Sequence, residues 1–136
     1  MKIDKNKIII WSIIAVVVIT VLIFIYKKGK KAGGVEQADL PKDGKGVTLS
    51  NDDKSDVRRI SDQLYRQVKD YGFDDDYLTE LNKQSDTVFV AVYNDFNTNY
   101  YKEIEKTLKV AIDDEWFIDS DIKKTFLDRC SRLNLA

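Results

Sequence analysis

Residues 85–96 read SDTVFVAVYNDF, and the fold class turns on them. Within that stretch residues 88–93 (VFVAVY) cluster β-branched and aromatic side chains, a composition that also suits a strand. Two features favour helix. Ser85 is a good N-cap, and Val88, Phe89, Val92 and Phe96 recur at helical spacing on one face. No partner strand is evident nearby, so the reading is helix and the fold class all-α.

Moving upstream, Val57, Ile60, Leu64, Val68 and Tyr71 step by three or four and predict a first helix from about Asp56. Gly72 follows, in a position suited to the left-handed conformation that ends a helix. Asp74 then caps a short second helix carrying Tyr77, Leu78 and Leu81. Downstream of residues 85–96, a fourth helix is expected over about 99–111, with Tyr101, Ile104 and Leu108 inward. Ser120 caps a last one, with Ile122, Phe126, Cys130 and Leu133 on one side. The expectation is a compact domain of about five short helices over residues 54–136. Burying about fifteen large apolar side chains at ~1.5–3 kcal/mol each is enough to oppose chain entropy at this size.

Residues 27–53 have a different character. They begin with the lysine run Lys27, Lys28, Lys30, Lys31 and contain five of the six glycines and the single proline, with no sustained apolar period. Such composition predicts a basic flank followed by a flexible tether reaching on the order of 25 Å.

Before the flank, residues 8–26 read IIIWSIIAVVVITVLIFIY, without one charge. As a helix this run is roughly 28 Å long, matching a hydrocarbon core of ~30 Å. Trp11 and Tyr26 lie near its ends, where amphipathic rings favour the interface, and Lys27, Lys28, Lys30 and Lys31 form a stop-transfer flank. A cleaved secretory signal would have a shorter apolar region, ~7–15 residues, and a small-residue cleavage site. A single-pass transmembrane helix behind a short tail, residues 1–7, is therefore expected, with the bilayer as partner. The lysines on its C-terminal side tip the positive-inside balance towards a cytoplasmic C-terminal domain. They read as a topology determinant before a binding site for anionic headgroups.

Charge is divided along the chain. Residues 1–50 hold nine lysines against four acids, a surplus of +5; residues 51–136 hold thirteen bases against nineteen acids, −6. With no histidine and one cysteine, imidazole bases, Ser–His and Cys–His nucleophiles, zinc clusters and internal disulfides are excluded. Cys130 falls on the apolar face of the last helix and reads as core. Arg58 and Arg59 are too few for a nucleic-acid face. No small-molecule substrate is implied, and the chain reads as non-enzymatic.

Two acidic triplets remain: Asp74, Asp75, Asp76 and Asp113, Asp114, Glu115. The plain reading is that the first complements a helix N-terminus and the second is a solvated loop. The alternative is a calcium site built from both loops. Trp116 and Phe117 follow the second triplet at a helix boundary. Core burial is the favoured reading; exposed, they would anchor a protein partner or the bilayer interface.

Residues 60–111 resemble a single annexin repeat. The family's first inter-helix loop reads K-G-x-G-T-D-E, and residues 69–75 here read KDYGFDD. Leu64 lies eight residues before the loop glycine Gly72 and Leu78 six after it, as in the family pattern. Ser85 and Phe96 match the opening serine and the aromatic eleven residues on, and Tyr100, Ile104 and Leu108 keep the register. The resemblance implies a five-helix unit that binds calcium and phospholipid through loop carbonyls and a distant acid. That acid falls at Ala111 by register, so Asp113, Asp114 and Glu115, with Gly72, are the set the resemblance offers; Asp70 and Phe73 replace the family's first glycine and threonine.

The function expected from these features is a membrane-anchored adaptor or structural protein that holds a helical interaction domain beside a bilayer. It would work with a protein partner or a second copy of itself. The alternatives are a calcium-dependent phospholipid-binding module and an accessory part of a larger assembly, such as a virion or secretion apparatus.

Overall fold

The computed structural model describes residues 31–32, 35–41, 49–70 and 72–136. The expected membrane segment, with Trp11, Tyr26, Lys27, Lys28 and Lys30, lies outside them, as does Tyr71. Among the described residues no helix is long and apolar enough to cross a membrane. The described residues from Ala32 to Ala136 form one compact unit.

Five helices build it: α1 (Asn51–Lys69), α2 (Asp75–Lys83), α3 (Asp86–Ile104), α4 (Leu108–Asp113) and α5 (Ser120–Arg132). Two two-residue strands, β1 (Lys31–Ala32) and β2 (Val35–Glu36), pair ahead of them.

Local chemistry fixes most of the helix starts. Ser50 Oγ accepts from the Asp53 amide while the Asp53 carboxylate accepts from the Ser50 amide, a capping box that starts α1 five residues before Asp56. Asp74 and Ser85 cap α2 and α3 as the sequence predicts. The cap of α5 is Asp119, one residue before the expected Ser120. At its other end α5 closes with Asn134 in the left-handed conformation, the Leu135 amide donating to the Cys130 carbonyl and that of Asn134 to Ser131.

Helix α3 is the centre of the domain. Seven consecutive residues, 87–93, are buried, so each side of its first two turns is covered. A helix enclosed on all faces needs an apolar run rather than an apolar stripe, which is why residues 88–93 look strand-like in sequence. Against α3 packs α1 through Val57, Ile60 and Leu64; α2 packs on both α1 and α5. Phe89 and Phe126 meet at 5.4 Å in the middle.

Two boundaries differ from the sequence reading. Residues 99–104 continue α3, and the chain breaks at Glu105 (φ 55°) before Thr107 caps a separate α4. Within residues 27–53, expected as flank and tether, the described residues 35–41 and 49–53 belong to the domain. Ala38, Leu40 and Leu49 pack against the core, and Asn94 grips the Ala38 backbone from both sides, accepting from its amide (2.9 Å) and donating to its carbonyl (2.8 Å). Gln37 donates to Thr98 Oγ1 and Thr87 to the Pro41 carbonyl, so residues 37–41 run along α3 in the reverse direction. Three polar residues at helical spacing on α3 thus order a stretch whose own composition offers little to bury.

Candidate functional site

The connection between α4 and α5 is held at both ends. On one side, Lys123 Nζ donates to the carbonyls of Asp113 (2.8 Å) and Glu115 (2.6 Å), and Lys106 pairs with Asp114 at 2.9 Å. On the other, Ile118 is buried and the Asp119 amide donates to the Asp75 carboxylate at 3.3 Å. Between these fixed points stand Trp116, 93% exposed, and Phe117, 73% exposed. Core burial, the favoured reading of this pair, is therefore overturned. The buried Ile118 supplies the loop's plug, and the two larger rings are turned outward.

An exposed Trp-Phe pair on a braced loop is uncommon. Leaving two large apolar side chains in water forgoes about 1.5–3 kcal/mol each, so such a patch ordinarily marks a contact surface. Two clefts flank it, of about 510 and 320 Å³. The first is bordered by Lys106, Asp113 and Lys123; the second by Lys69, Asp70 and Gly72, and both by Asp114, Glu115 and Trp116. The structure thus brings the α1–α2 turn to the α4–α5 loop and places Gly72 beside Asp114 and Glu115, while Asp113, the fourth member of the expected calcium set, borders the other cleft. Gly72 has a positive φ (133°), although α1 ends earlier, at an extended Asp70.

The local electrostatics are set by lysine. The ammonium of Lys123 occupies the position at the Asp113 and Glu115 carbonyls that a cation would use, and Asp114 is neutralised by Lys106. Among the described residues no group of three or more acidic or cysteine side chains is arranged to hold a metal ion. Lys69 is engaged by Glu103 at 2.6 Å, with its pKa raised by that carboxylate and by Tyr65.

Not all the acids here have a structural reason. Asp74, Asp75, Asp76 and Asp121 lie at helix N-termini, where the dipole favours them. Asp70 and Asp113 lie unpaired at the C-terminal ends of α1 and α4, where each opposes the dipole by about 0.3–1 kcal/mol; Asp114, at the same end of α4, is compensated by Lys106. Sequence alone offers no sign of Lys123's role, since its acceptors are backbone carbonyls in a loop of unpredicted path. The C-terminal acids were legible in principle once the helix ends were known.

Of the remaining expected site residues, only the backbone of Lys31 is described, in β1. Comparison with family models, with curated proteins and with solved structures gives no match.

Proposed function

We propose that this chain is a non-catalytic, membrane-anchored adaptor. The charge-free run at residues 8–26 spans the bilayer, and the helical domain presents Trp116 and Phe117 to a partner. The observation that carries this reading is the exposure of two adjacent large rings on a loop braced at both ends. The length of the apolar run and its lysine flank support the anchor.

A second reading, calcium-dependent phospholipid binding on an annexin-like repeat, draws support from the shared cleft of Gly72, Asp114 and Glu115. The Lys123 ammonium at the loop carbonyls weighs against it, because calcium would have to displace a cation already hydrogen-bonded there.

Alkaline carbonate washing of membranes containing the full chain tests the first half: the protein stays in the pellet. Chemical crosslinking in those membranes tests the second. W116A/F117A keeps its membrane location and its melting temperature but loses the crosslinked species. Release into the wash, or an unchanged crosslinking pattern, contradicts the proposal. A melting temperature raised by millimolar calcium would favour the second reading.

A further inference from the structure

Resting on that adaptor reading, we propose that the Trp116-Phe117 tip docks into an apolar pocket edged by lysine or arginine on a partner protein. Charge decides the chemistry of this partner. Two of the lysines that border the tip are neutralised inside the domain, Lys69 by Glu103 and Lys106 by Asp114, while Lys123 donates to two backbone carbonyls and keeps its charge. Among the described residues no cation pairs with Asp70, Asp113 or Glu115, and all three border the clefts beside the rings. Three unpaired carboxylates against the one charge of Lys123 leave the rim that meets a partner net negative.

Position gives the second argument. Asp70 and Asp113 stand unpaired at helix C-termini, where negative charge opposes the dipole. Folding does not favour acids there, yet both border the one exposed aromatic pair among the described residues. An acidic collar around an indole matches a pocket with a cationic edge. Long-range attraction steers the encounter, a guanidinium or ammonium can face the ring, and the apolar centre supplies the burial. The same collar repels anionic headgroups, so a bare acidic bilayer is the poorer occupant.

The experiment places a photoreactive residue at position 117 of the full chain in native membranes and identifies the captured peptides. The expected contact is an apolar residue on a surface carrying nearby Lys or Arg. Capture falls about fivefold or more when salt rises from ~50 to ~300 mM, and by a similar factor in D70K/D113K. The neutral variant D70N/D113N falls in between. D70K/D113K also melts a few degrees higher than the native chain, because lysine complements both helix ends. Protein capture insensitive to salt and equal in all three chains overturns the cationic pocket while leaving the adaptor reading intact. Capture of lipid alone, or of nothing, overturns both.

Discussion

Arg129 ties three elements of the domain together with one side chain. Its guanidinium lies 4.4 Å over the Phe89 ring, donates to the carbonyls of Asn82 (2.9 Å) and Gln84 (2.6 Å), and pairs with Asp86 at 2.8 Å. It thereby satisfies the end of α2 and the start of α3 from α5. Arg132 adds a second, more exposed contact to Asp86. Hydrogen bonds from Arg132 and then Arg129 hold the Asp86 carboxyl well below the usual carboxylate range. A depressed folded-state pKa contributes stability that is complete above the unfolded value, here 3.8, and is lost as pH falls through the folded one. D86N should accordingly melt lower at pH 7, by about 1–2 kcal/mol. The gap to the native chain should close as pH drops below about 4, which paired melting curves at several pH values will check. A gap that widens in acid would contradict the pairing. None of this cluster is legible in sequence, since Arg129 and its hydrogen-bond partners are more than forty residues apart. Cys130 is the opposite case: its place on an apolar helical face predicts burial, and burial pushes its thiol up to about 12.

The starts of α2 and α3 are readable in the sequence; those of α1, α4 and α5 differ from it. Asp74 and Ser85 announce α2 and α3 because a cap acts within three residues of its own helix. The end of α3 carries no such sign: Glu105 takes the left-handed conformation (φ 55°) where glycine would be the usual marker. With that marker missing, residues 99–111 look like one helix. Glu105→Gly should relieve the strained backbone and raise stability by about 0.5–1 kcal/mol, read as an increase in melting temperature. A decrease would mean that Glu105 supplies contacts worth more than its strain. Residues 35–41 also escape sequence analysis, because the polar groups that order them, Asn94 and Thr98, belong to another element.

At the scale of the molecule, the all-helical class follows from apolar spacing together with the Ser85 cap, and the main core positions from spacing. Val57, Ile60, Leu64, Leu78, Leu81, Phe96 and Phe126 are buried as their periodicity requires. Trp116 and Phe117 were not assignable this way. Periodicity identifies buried faces, and a loop residue has no period, so only the path of the α4–α5 connection reveals that Ile118 is inside and its two neighbours outside. That inversion leaves two large rings in solvent on a domain whose sequence, residues 51–136, carries a charge of −6. Replacing Trp11 by Phe in the full chain leaves Trp116 as the sole tryptophan, so its accessibility to a neutral quencher reports directly on the tip. The account predicts free quenching in the purified, detergent-solubilised protein and protection in native membranes, where the partner covers the ring. Protection in both settings would contradict the exposed loop, and free quenching in both would contradict a docked partner.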